Sequence, residues 1–148
     1  MITKLEPRLT MITLGVADVA KSTAFYERLG FKKSSASNDN VTFFITQGTV
    51  LSLFGKAALA DDAGVAVADD SDITYRGVSI SHNLDSREAV DEAYAFAVSC
   101  GATGTKAPHE VFWGGYTSYV ADPDGHLWEL CHNPFAPLDE NRNMPLPE

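Results

Sequence analysis

The 148-residue sequence is poor in basic residues and cysteines and has no long uncharged apolar run. Its 11 Lys and Arg residues are outnumbered by 20 Asp and Glu residues, for a formal net charge of −9, so its net field repels nucleic acids and acidic membrane surfaces. Two cysteines are too few for a disulfide framework or a zinc ribbon. No stretch approaches the roughly 18 apolar residues of a membrane span, and the first residues lack the apolar core of a signal peptide. We therefore expect a cytoplasmic protein without nucleic-acid or membrane partners.

The composition is that of an ordinary globular protein. Apolar residues make up 45% of the chain, charged residues make up 21%, and the mean hydropathy is −0.09. A chain of this length fits the usual size of one domain, and we expect residues 1–148 to form one.

The periodicity predicts the same order of elements twice, strand–helix–strand–strand–strand, in a module over residues 8–54 and a module over 77–134. The first helix is predicted over 19–29, with Asp18 as its N-cap and Gly30 ending it. The second is predicted over 87–100, with Asp85 or Ser86 as its N-cap. The predicted strands are 9–16, 31–35, 41–46, 49–54, 78–84, 104–111, 116–121 and 126–132.

Two segments lie outside this repeat. Residues 55–76 are rich in Ala, Gly and Asp and are predicted to form an acidic, solvated linker, because their spacing does not match a calcium-binding loop. The tail over 135–148 is rich in proline and is predicted to be extended and packed on the surface.

Three motifs resemble the vicinal oxygen chelate superfamily, which includes glyoxalase I, extradiol dioxygenases, fosfomycin-resistance enzymes and bleomycin-resistance proteins. They are G-V-A-D at 15–18, S-T-A-F-Y-E-R-L-G-F at 22–31 and D-P-D-G-H-L-W-E-L at 122–130. With W-G-G-Y at 113–116, they look most like a branch known only as glyoxalase-like. The resemblance implies an α+β fold of two tandem βαβββ modules forming a curled mixed sheet around a cleft, and a homodimer.

In metal-dependent members of that superfamily, each module supplies two His, Gln or Glu ligands from its first and last strands. The corresponding positions in this sequence are Met11, Ser52, Ser79 and Glu129. Only Glu129 is a credible ligand, and one carboxylate does not hold a divalent cation at cellular concentrations. The resemblance therefore implies no metal and no cofactor.

The alternation of side chains along the strands predicts which residues line the cavity. They are Met11, Thr13, Ser79, Ser81, Asn83, Leu127, Glu129 and Cys131, with Trp113, Tyr116, Tyr119 and Phe44 as further candidates. An apolar and aromatic surface with a few directed polar groups is typical of small-molecule pockets. The alternative is that these residues only fill a core or an interface between the two modules.

Glu129 is the candidate catalytic residue, because an unpaired carboxylate in a partly dry cavity is suited to acid–base chemistry. The alternative is a structural carboxylate bonded to Ser79, Ser52 or a tyrosine. Alternation along its strand places His82 on the helix-packed side, as a structural histidine.

Three functions follow from these observations. The first is metal-free binding of a small organic molecule, in the manner of a bleomycin-resistance protein. The second is a glyoxalase-type lyase, isomerase or dioxygenase with a divalent metal held by a differently aligned site. The third is a metal-free acid–base enzyme that uses Glu129.

Overall fold

The computed structural model describes residues 4–67 and 75–148, which fall in two compact units, residues 1–69 and 70–148. The first unit contains β1 (Met11–Val16), α1 (Val19–Leu29), β2 (Lys32–Lys33), β3 (Val41–Ile45), β4 (Val50–Gly55) and α2 (Lys56–Ala63). The second unit contains β5 (Ser79–Asn83), α3 (Arg87–Ser99), β6 (Thr103–Glu110), β7 (Tyr116–Ala121) and β8 (Leu127–His132). The predicted repeat of strand–helix–strand–strand–strand is confirmed.

The helix ends follow from local side-chain chemistry. The Asp18 carboxylate accepts a hydrogen bond of 3.0 Å from the Lys21 backbone N–H, and Gly30 ends α1 with a φ of 110°. Ser86, rather than Asp85, caps α3, since its hydroxyl accepts from the Ala89 N–H at 3.1 Å. These caps bond backbone groups that the first helical turn leaves unpaired.

Each unit has its own four-stranded mixed sheet, in the order β1-β4-β3-β2 and β5-β8-β7-β6. In each sheet the first strand of the module runs parallel to the last one, as β1 with β4 and β5 with β8, and the other pairs are antiparallel. The α+β class with two tandem modules is therefore confirmed. This order puts β4 and β8 inside their sheets, with a neighbour on either side.

The core of the first unit lies between α1 and one face of its sheet. Its largest buried side chains include Tyr26 and Phe25 from α1 and Phe44 and Leu53 from the strands. The rings of Tyr26 and Phe44 lie 5.7 Å apart between centroids. Phe44, a candidate for the ligand cavity, is thus a core residue beneath α1, with 1% of its surface exposed.

The segment predicted to be a solvated linker contains a helix, α2. This helix packs closely on β1, because a Cβ at Gly15 would lie only 3.3 Å from the Lys56 Cα. No residue of α2 is buried. Its sequence also has no apolar stripe from which a helix could be predicted. Of the remaining linker, residues 68–74 lie outside the described residues.

The proline-rich tail contains no helix or strand and contacts the end of β5. Arg142 donates to the Asp85 carboxylate at 2.9 Å, and the Asn83 amide donates to the Met144 sulfur at 3.7 Å. Within residues 4–67 and 75–148, no helix is both long and apolar enough to cross a membrane.

Candidate functional site

The candidate site lies on the distal face of the second sheet, defined as the side facing away from α3. Tyr116 identifies the opposite side, since its hydroxyl donates to Asp91 of α3 at 2.7 Å. Side chains alternate along a strand, and the pairing register then places one set of residues together on the distal face. They are Ser79, Ser81 and Asn83 of β5, Thr117 and Tyr119 of β7, and Leu127, Glu129 and Cys131 of β8.

Glu129 lies at the centre of this face with both carboxylate oxygens engaged. Ser81 on one neighbouring strand donates to Oε2 at 3.0 Å, and Thr117 on the other donates to Oε1 at 2.9 Å. Tyr119 is its directly paired residue in β7. Burial first, and then the charge and a hydrogen bond of Glu129, raise the pKa of the Tyr119 hydroxyl. The carboxylate is therefore held in one orientation by hydroxyl groups.

Cys131 lies next to this carboxylate but is not activated by it. Its thiol donates to the Asn83 side-chain oxygen at 3.0 Å. Burial, followed by the charge and a hydrogen bond of Glu129, raises the pKa of the Cys131 thiol to about 12. Because the thiolate is the nucleophilic form, this cysteine is unsuited to nucleophilic catalysis at neutral pH.

Most residues predicted for the second-module part of the cavity are brought together. Ser79, Ser81, Asn83, Tyr119 and Glu129 share the distal face. The partners expected for Glu129 were Ser79, Ser52 or a tyrosine. Tyr119 is its neighbour across the strand pair, and the two hydroxyls that donate to its carboxylate belong to Ser81 and Thr117.

Thr117 was missed by the sequence analysis. The signal was available, because Thr117 is two residues from Tyr119 and the two therefore share a face.

Two further predicted aromatic residues have different surroundings. Tyr116 is on the helix side, bonded to Asp91, with the Arg87 guanidinium 5.2 Å from its ring centroid. Tyr116 therefore does not belong to the distal face. Trp113 lies in the loop between β6 and β7, where an added Cβ at Gly115 would overlap its indole ring.

The first unit contributes predicted residues to the face of its own sheet that faces away from α1. Thr13 and Ser52 are paired in register there and share a hydroxyl hydrogen bond of 3.0 Å. Met11 lies on the same face of β1, with 46% of its surface exposed.

The donor set at the positions equivalent to metal ligands does not fit a divalent cation. It consists of the Met11 thioether, the Ser52 and Ser79 hydroxyls, and one carboxylate already engaged by two hydroxyls. Zinc, nickel, iron and manganese sites need several imidazole, thiolate or carboxylate ligands. Among residues 4–67 and 75–148, no three His, Cys, Asp or Glu side chains are grouped to hold a metal ion.

The first unit also carries a groove of about 560 Å³. It is lined by Val19, Asn38, Asp39, Asn40, Val41, Phe54, Gly55 and Ala58. The groove offers amides, one carboxylate and an aromatic ring, so a ligand-binding experiment has to distinguish it from the distal face.

Comparisons with known proteins agree with the fold. A family model described as Glyoxalase/Bleomycin resistance protein/Dioxygenase superfamily matches residues 8–130. A glyoxalase-related enzyme from Fulvimarina pelagi superimposes with a TM-score of 0.84 at 29% identity, over 95% of this chain and 99% of that chain. No protein of curated function matches the sequence.

Two more distant structures show the likeness of fold alone. A glyoxalase/bleomycin resistance protein/dioxygenase from Nocardioides has a TM-score of 0.74 at 24% identity, over 99% of this chain and 93% of that one. A lactoylglutathione lyase from Agrobacterium tumefaciens has a TM-score of 0.63 at 19% identity, over 88% of this chain and 96% of that one.

Proposed function

The chain belongs to the Glyoxalase/Bleomycin resistance protein/Dioxygenase superfamily, and on that premise we propose that it binds a small organic molecule without a divalent metal. The binding surface is the distal face of the second sheet. Glu129 is its central recognition group, and Ser79, Ser81, Asn83 and Tyr119 are the ligand-binding residues around it.

One observation carries this proposal, namely that the Glu129 carboxylate is fixed between Ser81 and Thr117 on its two neighbouring strands. A polar group that is oriented before a ligand arrives loses little entropy on binding. The neighbouring Tyr119 ring and Leu127 side chain supply apolar surface. Directed polar groups on an apolar and aromatic surface are the usual composition of a small-molecule site.

The donor set disfavours the metal-dependent alternative, because a lyase or dioxygenase of that kind needs ligands that Met11, Ser52 and Ser79 do not provide. The acid–base alternative is separated by experiment. If Glu129→Gln abolished turnover of a substrate and kept its binding, Glu129 would be a catalytic residue.

The experiment is a thermal-shift screen of aromatic, thiol-containing and antibiotic-like molecules on metal-stripped protein, with and without EDTA. Binders are expected to raise the melting temperature equally under both conditions and to shift the backbone amide resonances of β5, β7 and β8. Glu129→Gln is expected to weaken binding about tenfold, the loss of one charged hydrogen bond.

Glu92→Gln is the matched control, because Glu92 is an exposed carboxylate in α3. It is expected to leave binding unchanged. Binders that act only when zinc, nickel, iron or manganese is added would overturn the proposal. So would amide shifts confined to the groove of the first unit.

A homodimer and a cytoplasmic location remain predictions from the sequence. Light scattering of the purified chain tests the first, since a dimer of this 16.0 kDa chain has twice its mass. A mass that stays at the monomer value over the accessible concentrations would contradict it.

A further inference from the structure

We propose that the ligand is a cation, whose protonated amine, amidine or guanidine group contacts Glu129. This inference rests on the proposed function and adds the charge class of the ligand. The evidence is the set of hydrogen-bond donors and charged side chains near the Glu129 carboxylate.

Glu129 is bonded to neutral groups alone. Ser81 and Thr117 are its hydroxyl donors, and among the described residues no lysine, arginine or histidine forms an ion pair with it. Two other acids of the second unit are paired with an arginine, Glu110 with Arg87 and Asp85 with Arg142. A ligand that covers the Glu129 carboxylate therefore meets a charge that no ion pair in the described residues compensates.

The free energy needed to remove water from this carboxylate determines which class of ligand can bind. A molecule seated on the distal face removes water from the carboxylate, which is unfavourable unless the molecule supplies an opposite charge or strong donors. A neutral ligand recovers part of that cost through hydrogen bonds, and an anion adds repulsion. A cation compensates for the lost interactions with water through its opposite charge and a charge-assisted hydrogen bond.

The hydrogen-bonding capacity of the carboxylate leaves a position for such a group. A carboxylate has about four lone-pair sites. Ser81 and Thr117 occupy one each. A charged N–H from the ligand takes one of the sites that remain.

Lys106 is the cation nearest in register, since it pairs with Tyr119 across β6 and β7. Glu129 is one strand further away, so two strand spacings, roughly 9.6 Å, separate the backbones of Lys106 and Glu129. The described residues show no ion pair between Lys106 and Glu129.

The surrounding charge favours the same class of ligand. Residues 75–148 contain eleven acidic and four basic side chains, a formal net charge of −7, whereas residues 4–67 contain six and seven, a formal net charge of +1. The excess negative charge is carried by the unit that contains Glu129. Such a field concentrates cations near the site and repels anions.

The test uses three probes that share one ring and differ in charge, namely benzamidine, benzamide and benzoate. Each is titrated at pH 7 and low ionic strength into ¹⁵N-labelled protein, and the dissociation constant is read from the amide shifts of β8. Benzamidine is expected to bind at least about tenfold more tightly than benzamide, and benzoate more weakly than either.

Two variants at the same position separate charge from shape. Glu129→Gln is expected to reduce the preference for benzamidine over benzamide to less than about twofold, because the amide keeps the shape without the charge. Glu129→Asp keeps the charge and is expected to keep the preference, and Glu92→Gln should behave as the parent protein. If the Gln variant does not fold, the order of the three probes on the parent protein still decides.

The outcomes distinguish this inference from the proposed function. If benzamide or benzoate binds the distal face as tightly as benzamidine, the charge class is wrong and small-molecule binding stands. If Glu129→Gln keeps the full preference, the charge is read by another residue and the inference fails. If neither these probes nor any screened molecule shifts amides of the distal face, both proposals fail.

Discussion

Thr23 in α1 and Thr42 in β3 join helix to sheet in the core of the first unit through a hydroxyl–hydroxyl hydrogen bond of 2.8 Å. The Thr23 hydroxyl also donates to the Val19 carbonyl at 2.6 Å. A hydroxyl has one hydrogen to donate. Thr42 must therefore be the donor and Thr23 the acceptor in the bond between them.

This direction makes the two threonines unequal. Thr23→Val removes the acceptor and leaves a buried Thr42 donor without a partner, which is expected to lower the free energy of unfolding by about 1–3 kcal/mol. Thr42→Val leaves the bond from Thr23 to Val19 intact and is expected to cost about 1 kcal/mol or less. Urea denaturation of both variants measures the difference. Equal losses, or a larger loss for Thr42→Val, would show that the donor is assigned wrongly.

The two tyrosines of β7 should differ in ligand binding. Tyr119→Phe removes a hydroxyl beside Glu129 and is expected to weaken benzamidine binding several-fold. Tyr116→Phe removes a hydroxyl that contacts Asp91 on the other side of the sheet and is expected to leave the dissociation constant unchanged. The same amide titration measures both. An equal effect of the two substitutions would place the ligand elsewhere.

Cys131 should be slow to react although it is only partly buried. Burial and the Glu129 charge raise its pKa to about 12, so at pH 8 only about one molecule in ten thousand carries the thiolate. Alkylation of native protein by iodoacetamide, followed by mass spectrometry in a Cys100→Ser background, is expected to be at least about 100-fold slower than that of glutathione.

The Glu129→Gln variant provides the control for this rate. Removing the negative charge lowers the pKa of the Cys131 thiol, because a nearby carboxylate disfavours the thiolate. Alkylation of that variant should therefore be faster. An unchanged rate would mean that burial alone suppresses the thiol.

The pKa of His82 should depend on Arg142 in the C-terminal tail. Burial first, and the Arg142 charge second, lower the pKa of the His82 imidazole below its usual 6.5. Arg142→Gln removes one of the two causes, so an NMR titration of His82 should give a higher pKa in this variant. An unchanged value would mean that the tail does not lie near His82 in solution.

The lowered pKa of His82 also determines how the stability of the folded protein changes with pH. The unfolded chain binds a proton more readily than the folded protein, so stability is lost as the pH falls below about 6.5 toward the lowered pKa. His82→Gln removes the titrating group, and the loss of stability over this interval should become smaller. Thermal melts across that pH interval measure it.

Elements with strong local signals could be predicted from the sequence, and elements that depend on tertiary contacts could not. Asp18 and Gly30 marked both ends of α1 because capping is decided by neighbouring backbone groups. The helix α2 was missed because it packs through small residues and backbone against Gly15, without an apolar stripe.

The candidate site was predicted as far as side-chain alternation reaches. Alternation placed Ser81 and Glu129 on one face, but the strand register that joins them is a property of the folded sheet. Tyr116 and Tyr119 were both proposed for the cavity although their positions differ by three, and an odd difference puts two residues of one strand on opposite faces. Strand periodicity alone required one of the two to be excluded.

The strand order also determines where this protein can change its ligand. Glu129 is on a strand with neighbours on both sides, and its orientation depends on residues of both β5 and β7. Ser79 is on an outer strand, where a substitution disturbs a single neighbouring strand. A library meant to evolve new ligand preferences should therefore randomise Ser79 and keep Glu129 constant.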